Sequence, residues 1–291
     1  MRYGYLAVAA MLPYLFLKIA WLAGSDIGVN EPGMMNTPGM LAANAVTGGM
    51  ELAGALIAVA LTQRWGQRLP GWLVTFPMWV GTGLLVPILM TVPAGMALGA
   101  MSAASDELQP WVYLVVYGGF CVQGVALILA FGAYTKRRWP GAFAAGPGVA
   151  GPARPLQATV AKGMAALCAL SAVLGVYWLL GGSAGRPDAY RYTTVQVLSH
   201  VAEVLLVLAA AAGLAMLVFR YGRPGLGAAL AWTGSGAMFA GGVMGLLPTL
   251  LGAVEGSGLG DVAALANGLT GVTIALSAAF VLAERQAAAE A

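Results

Sequence analysis

The sequence predicts an all-α, polytopic membrane protein, and three observations indicate this fold class. First, the chain of 291 residues is 60% hydrophobic and only 9% charged, whereas about a quarter of the residues in an ordinary soluble domain are charged. Second, it contains eight apolar runs of about 20 residues or more, the length that a helix needs to cross a bilayer. Third, signals in the first half of the chain recur in the second half. We therefore expect eight transmembrane helices arranged as two parallel four-helix repeats.

Each predicted span is an apolar run bounded by charged or turn-forming residues. The eight spans are Gly4 to Gly24, Leu41 to Thr62, Trp72 to Leu98, Trp111 to Tyr134, Thr159 to Gly181, Thr194 to Phe219, Leu226 to Leu251 and Val262 to Ala283. The first run contains Pro13 and Lys18, and no small-residue cleavage pattern follows it. We therefore interpret it as a membrane span rather than as a signal peptide.

The basic residues favour one side of the predicted membrane. The connections on that side carry Arg2, Arg64, Arg68, Lys136, Arg137, Arg138, Arg154, Lys162, Arg220, Arg223 and Arg285. The connections on the other side carry only Arg186 and Arg191. By the positive-inside rule the richer side is cytoplasmic, which places both termini there. We expect a multi-pass protein of the cytoplasmic membrane of a bacterial cell.

Similar signals recur in the same order in the two halves of the chain. A Trp-x-x-Gly motif begins at Trp21 and again at Trp178, and an Arg-aromatic-Gly motif begins at Arg64 and again at Arg220. Since each half has an even number of spans, the two copies would share one orientation and be related by a pseudo-twofold axis along the membrane normal.

The connection between the halves differs in composition from the rest of the chain. It is basic at its start and then rich in Gly, Ala and Pro, which is typical of a flexible link. We expect a first four-helix repeat over residues 1–134, a cytoplasmic linker over residues 135–158 and a second four-helix repeat over residues 159–291.

Two of the predicted helices carry matching polar stripes. The stripes are Asn44, Thr47, Gly48 and Glu51 in the first half, and Gln196, Ser199, His200 and Glu203 in the second. The spacing i, i+3, i+4 and i+7 places each set on one helix face. Counted from the predicted outer ends of their spans, Glu51 and Glu203 both lie about 15 Å deep. A carboxyl group at that depth should face the bundle interior, find partners or keep its proton. We expect the two glutamates to form a shared substrate- or proton-binding site.

Four other polar residues are candidates for the same site. Lys18 either extends toward the outer interface or is the counter-charge of the buried carboxyl groups. His200, the single histidine, either relays protons with Glu203 or is a neutral hydrogen-bonding partner. Gln123 and Asn267 either extend the interior polar track or bridge helices. No catalytic residue is assigned.

Several kinds of site are excluded or disfavoured. Cys121 and Cys168 lie in apolar runs without a disulfide or zinc-binding spacing. Met34, Met35 and Met40 are thioether ligands suited to cuprous copper, but their loop is also rich in Pro and Gly and fits an irregular lid. We predict no metal and no cofactor. No nucleotide-binding motif or dense basic patch is present, so we expect no nucleic-acid partner.

The leading functional hypothesis is a small-molecule transporter or permease, proton-coupled through the buried carboxyl groups. One alternative is a membrane-embedded enzyme that acts on an isoprenoid- or quinone-like substrate by acid–base chemistry. Another is a non-catalytic membrane subunit of an exporter or sensor. The sequence favours a protein that is not an enzyme, but it does not decide whether the protein is one. The expected partners are the lipid bilayer and a small-molecule or ion substrate, and both a homo-oligomer and a partner membrane subunit are compatible with the sequence.

Overall fold

The computed structural model describes residues 2–99, 107–144, 151, 153–185, 193–250 and 258–290, except the side chain of residue 248. These residues form eight long α-helices. They are α1 (Arg2–Leu22), α2 (Pro38–Thr62), α3 (Gly71–Ala97), α4 (Pro110–Arg138), α5 (Arg154–Leu179), α6 (Thr194–Phe219), α7 (Pro224–Leu250) and α8 (Leu259–Glu290). All eight are long and apolar enough to span a membrane. The prediction of an all-α chain with eight such helices is confirmed.

The start of α2 differs from the predicted one because a capping residue extends the helix. The apolar run predicted α2 from Leu41, but the helix begins at Pro38. Thr37 caps it, because its hydroxyl accepts a 3.4 Å hydrogen bond from the backbone N–H of Met40. Proline after a threonine cap is a favourable first helical residue, since it lacks the N–H that would be unsatisfied there.

Some predicted features lie outside the described residues. These are Arg186 and Arg191 on the connection between α5 and α6, and positions 145–150 and 152 of the predicted linker. The described start of that linker is held by the end of α8. Gln286 Oε1 accepts a 3.0 Å hydrogen bond from the backbone N–H of Ala142.

The chain divides into two compact units. Unit 1 comprises Met1–Met78 and Thr91–Thr135, and unit 2 comprises Trp79–Met90 and Lys136–Ala291. The middle of α3 thus belongs to unit 2, although its sequence lies in the first half of the chain. The repeat boundaries expected from the sequence stay a prediction.

In unit 1, α1 and α2 approach closely at a glycine. A Cβ atom at Gly4 would collide with the carbonyl oxygen of Ala58 on α2. The C-terminal part of α4 is hydrogen-bonded to the short turn after α2. There the buried Tyr134 hydroxyl donates a 3.0 Å hydrogen bond to the carbonyl oxygen of Gly66.

In unit 2, helices α5 to α8 bury a common apolar core that includes Cys168 on α5 and Ile274 on α8. The middle of α3 joins this unit through a buried polar contact. Trp79 Nε1 donates a 3.0 Å hydrogen bond to Ser235 Oγ on α7. The Trp79 ring also stacks on Phe239, with 4.8 Å between ring centroids.

The turns that follow α1 and α5 have the same local structure. In the first, Trp21 Nε1 donates a 2.9 Å hydrogen bond to the carbonyl oxygen of Ile27. In the second, Trp178 Nε1 donates a 2.9 Å hydrogen bond to the carbonyl oxygen of Ala184. The residue three positions after each tryptophan is a glycine in the left-handed region, with φ of 86° in the first turn and 93° in the second.

The next helices, α2 and α6, also begin alike. Thr193 caps α6 by accepting a 3.3 Å hydrogen bond from the backbone N–H of Gln196, as Thr37 caps α2. The matching turn and cap residues lie 157 and 156 positions apart, whereas the two polar stripes were aligned at a separation of 152. Local structure therefore supports a register about one helical turn away from the stripe alignment.

The close packing of α6 against α7 predicts opposite effects for two alanine substitutions on the same helix. At Gly234 an added Cβ would collide with the Leu206 carbonyl oxygen on α6. We expect Gly234→Ala to lower stability by about 1–3 kcal/mol. Gly241 faces open space, so Gly241→Ala should preserve stability or raise it by up to about 1 kcal/mol through helix propensity. Thermal unfolding of the two variants in one detergent measures the difference, and equal melting temperatures would contradict the packing.

Candidate functional site

Unit 1 contains two charged residues away from the ends of its helices. Lys18 on α1 and Glu51 on α2 are the only such residues in the described helices α1–α4. Both are buried, each with 8% of its surface exposed, and they interact electrostatically. A charge in an apolar interior is expensive by several kcal/mol unless it is paired. The groups around these two side chains therefore define the candidate site.

The Lys18 ammonium group lies between an amide and two aromatic rings. Its Nζ donates a 2.8 Å hydrogen bond to Asn44 Oδ1 on α2. It is 4.8 Å from the ring centroid of Tyr14 and 5.2 Å from that of Trp21. Residues at i−4 and i+3 share a helix face with residue i, so α1 supplies both rings by its geometry alone. Gly48 on α2 lies against the lysine stem, since an added Cβ would be in ordinary van der Waals contact with Lys18 Cβ, at 3.4 Å.

A loop covers the asparagine side of this site. The first loop, residues 23–37, is joined to the residues before α4 by an antiparallel bridge between Val29 and Leu108. Met35 in this loop is only 2% exposed, and its sulfur accepts a 3.6 Å hydrogen bond from Asn44 Nδ2. Asn44 thus binds the ammonium group through its oxygen and the loop through its nitrogen.

The Glu51 carboxyl group pairs with an amide from α4. Gln123 Nε2 donates a 3.3 Å hydrogen bond to Glu51 Oε2. In the part of the chain that the structure describes, the other carboxyl oxygen, Glu51 Oε1, and the amide oxygen, Gln123 Oε1, are buried without a hydrogen-bond partner. A buried acceptor without a donor costs about 1–3 kcal/mol. Two such atoms, on side chains that are hydrogen-bonded to each other, require an explanation.

A single proton on Glu51 accounts for both atoms. An ionised carboxylate only accepts hydrogen bonds, whereas a carboxylic acid has one O–H donor. The amide N–H already donates to Oε2, and a proton on Oε1 would supply the donor that Gln123 Oε1 lacks. The two groups would then form a cyclic acid–amide pair. This pairing requires a neutral Glu51 near a positively charged Lys18.

The other ionisable groups near this pair are tyrosines. Tyr14 interacts electrostatically with Glu51 and makes a side-chain hydrogen bond with Thr47. Tyr117 on α4 interacts with Tyr14, and Phe120 packs edge-on against Tyr14 with 5.0 Å between ring centroids. The helix α3 contains no ionisable residue. The site therefore combines one acid, one amine and two amides within aromatic surroundings.

The second polar stripe lies in unit 2 and is organised differently. His200 Nδ1 lies 2.9 Å from Glu203 Oε2, but 58% of the Glu203 side chain is exposed. Gln196 completes the cap of α6, because its Oε1 accepts a 2.8 Å hydrogen bond from the backbone N–H of Thr193. Ser199 is half-buried. A site shared by the two glutamates stays a prediction.

The two glutamates do not occupy matched positions along their helices. Glu51 lies thirteen residues after the first residue of α2, and Glu203 lies nine residues after the first residue of α6. At 1.5 Å per residue the difference is about 6 Å. The equal depth expected in the membrane stays a prediction, since it was counted from the apolar runs and α2 begins before its run.

The ten predicted site residues divide equally between the units. Those in unit 1 are Lys18, Asn44, Thr47, Glu51 and Gln123. Those in unit 2 are Gln196, Ser199, His200, Glu203 and Asn267, the last of which is half-buried on α8. The structure brings the first five together around the acid and the amine.

Tyr14, Trp21 and Met35 contribute to the site but were not predicted in that role. Tyr14 has a spacing signal, since it lies one helical turn before the buried lysine. The contact of Met35 with Asn44 has no sequence signal, because it depends on how the first loop folds. Met34 and Met40 pack against the apolar cluster under that loop. Within the described residues, no group of three or more His, Cys, Asp or Glu side chains is placed to hold a metal ion.

Comparisons with known proteins were made at the level of sequence and of structure. No family model, curated protein or solved structure matches this chain.

The acid–amide pair predicts a specific pattern of stabilities. Gln123→Leu should destabilise the protein by about 1–3 kcal/mol, because the Glu51 carboxyl group loses its partner. Glu51→Gln should keep near-native stability, because two amides also form a two-point pair. A double-mutant cycle with Glu51→Leu and Gln123→Leu, measured by unfolding in detergent, should give a coupling of at least about 0.5 kcal/mol. Additive effects would contradict a direct pair.

Proposed function

We propose that this protein is a proton-coupled transporter of small molecules in a cytoplasmic membrane, with Glu51 as the residue that carries the proton. The observation behind the proposal is the buried pair of Glu51 and Gln123, in which one proton satisfies two otherwise unpaired oxygens. Lys18 places a positive charge beside the acid. A carboxyl group that gains or loses its proton next to a buried cation is a suitable device for coupling proton movement to transport.

The outer surfaces of the helices support a membrane location. Large apolar side chains are exposed along them, among them Phe16 and Ile19 on α1, Leu170 on α5 and Phe280 on α8. Soluble monomers rarely expose extensive apolar surface, because it drives association in water. Lipid chains would cover such side chains, while the helices satisfy their own backbone groups.

The matching turns and threonine caps support two parallel repeats. We call their alignment the shifted register, because it lies about one helical turn from the alignment of the two polar stripes. The packing of the first two helices of each unit agrees with it. Lys18 on α1 packs on Gly48 of α2, and an added Cβ at Gly175 on α5 would contact Val204 of α6. These two pairs are related by the same separations as the turns and the caps, 157 and 156 positions.

In the shifted register, unit 2 has no acid and no amine at the positions that correspond to Glu51 and Lys18. Glu51 then corresponds to Val207, Lys18 to Gly175, and Glu203 to Thr47. The proposed transporter therefore has one proton site, in unit 1, rather than a symmetric pair of sites.

The site can adopt two arrangements that differ by one proton, and only the second is neutral overall. In one, Glu51 is protonated and paired with Gln123, while the positively charged Lys18 is bonded to Asn44. In the other, Glu51 is ionised and its carboxylate attracts the Lys18 ammonium group. Because Asn44 also holds the first loop through Met35, movement of the ammonium group between these positions would loosen or tighten that loop. Proton binding is thereby linked to the access of the solute to the site under that loop.

One observation favours the enzyme alternative. The acid and the amine occur in one unit only, and a membrane-embedded enzyme needs a single site. In that case Glu51 would act as a general acid toward an apolar substrate that enters from the lipid. Chemical conversion of a lipid-soluble substrate by the purified protein, without transport of any solute, would favour this alternative.

The acid–amide pair predicts that Glu51 is protonated in the purified protein. Infrared spectroscopy should show a carboxylic-acid C=O band that shifts on deuterium exchange, disappears as the pH is raised and is missing from Glu51→Gln. Glu203→Gln is the control and should keep the band, since Glu203 is exposed. A band that persists in Glu51→Gln, or a wild-type protein without it at every pH where the fold is retained, would contradict the assignment.

Proton coupling predicts a linked flux in proteoliposomes. A panel of carboxylates, amino acids, sugars and amines is offered to vesicles that contain a pH-sensitive dye. Uptake of the transported solute by the wild-type protein should acidify the interior, because each solute enters with a proton. Glu51→Gln should abolish the acidification. Solute uptake with undiminished acidification in this variant would remove Glu51 from the proton pathway.

A further inference from the structure

The neutral state of Glu51 leaves a positive charge unbalanced in unit 1. With the acid–amide pair formed, Lys18 is the remaining charged group away from the helix ends of α1–α4. In the part of the chain that the structure describes, its ammonium group contacts an amide oxygen and two aromatic rings, all of which are uncharged. Burying an unpaired ammonium group costs several kcal/mol. A negative charge from outside the protein would remove that cost.

The lysine has the hydrogen-bonding capacity to bind such an anion. An ammonium group has three N–H donors, and Lys18 uses one on Asn44 Oδ1. Among the described residues, the nitrogen of the same amide, Asn44 Nδ2, donates to the sulfur of Met35 alone. Since a thioether is a weak acceptor, an oxyanion would be the better partner for both Lys18 and Asn44. Carboxylate oxygens have the required number of acceptor positions.

The surroundings restrict the rest of the ligand. Tyr14 and Trp21 flank the ammonium group, and Phe120 packs against Tyr14. An apolar or aromatic body fits such surroundings, whereas a sugar would leave its hydroxyl groups without partners. A cation would be repelled by Lys18. A dianion would bring one negative charge more than the site can neutralise.

We infer that the substrate is a monovalent carboxylate with an apolar or aromatic body, which Lys18 and Asn44 bind while Glu51 holds its proton. This inference rests on the proposed proton-coupled function and names the substrate class of the same site. One proton and one carboxylate enter together. When the substrate leaves, Glu51 releases its proton, and its own carboxylate replaces the substrate as the partner of Lys18. No net charge crosses the membrane in one cycle.

Binding of benzoate to the purified protein in detergent tests this substrate class. Benzamide and benzylamine are matched neutral and cationic probes. Isothermal titration calorimetry at acidic pH should detect benzoate and neither of the other two. Lys18→Met should weaken benzoate binding by about 10- to 100-fold, because it removes a charge-assisted hydrogen bond. Lys18→Arg keeps the charge and should retain most of the affinity.

The pH dependence separates anion binding at this site from binding elsewhere. In the wild-type protein the affinity for benzoate should fall about tenfold per pH unit once Glu51 is ionised, because one proton is taken up with each anion. In Glu51→Gln, which imitates the protonated acid, affinity should stay constant as long as benzoate is ionised. The Lys18→Met, Glu51→Gln double variant lacks both buried charges, and it should fold without binding benzoate.

Three results would overturn the inference. They are no binding of benzoate, phenylacetate or propionate at any pH, unchanged affinity in a folded Lys18→Met variant, and benzoate binding to the folded double variant as tight as to Glu51→Gln. The infrared band of Glu51 is recorded on the same samples. A band without anion binding removes the carboxylate class and leaves the proton site, whereas absence of the band removes the proposed function itself.

Discussion

A buried ammonium group and a buried carboxyl group both need polar partners, and this requirement organises unit 1. The Lys18 stem lies against Gly48 of α2, and Asn44 accepts a hydrogen bond from its ammonium group. Glu51 lies on the same face of α2 two turns further along, and Gln123 on α4 completes its pairing. Replacing any of these side chains by an apolar one would leave a neighbour without its partner. Lys18, Asn44, Glu51 and Gln123 therefore depend on one another for their hydrogen-bonding and charge partners.

The sequence was sufficient for the parts of the structure that follow from local pattern. Length and apolarity predicted the eight helices, and i, i+7 spacing predicted that Asn44 and Glu51 share a face. The pairing of Glu51 with Gln123 joins residues 72 positions apart, so no local pattern could reveal it. The start of α2 was missed because Thr37 and Pro38 are polar and turn-forming residues, which also occur in loops. The two stripes were matched by residue type and spacing, and this gave a register different from that of the turns and caps.

The apolar helices pack against one another in different ways in the two units. In unit 1 the stem of a charged side chain, Lys18, lies against Gly48. In unit 2 the position that corresponds to Lys18 is itself a glycine, Gly175, and the facing residue is Val204. Close backbone contacts such as that of Gly234 on α7 with Leu206 on α6 are the way in which helices associate when all their surroundings are apolar. Similar backbone turns thus carry a polar site in one case and a tightly packed bundle in the other.

The division of α3 has a consequence for how the chain is assembled. Its middle segment, Trp79–Met90, belongs to unit 2, and there Trp79 finds its partner Ser235. A gene cut within the linker would produce an amino-terminal fragment whose third helix lacks that partner. Neither fragment would be complete when made alone, and the two would have to be synthesised in the same cell to recover the native protein. During biosynthesis, α3 would likewise lack this contact until α7 has emerged from the ribosome.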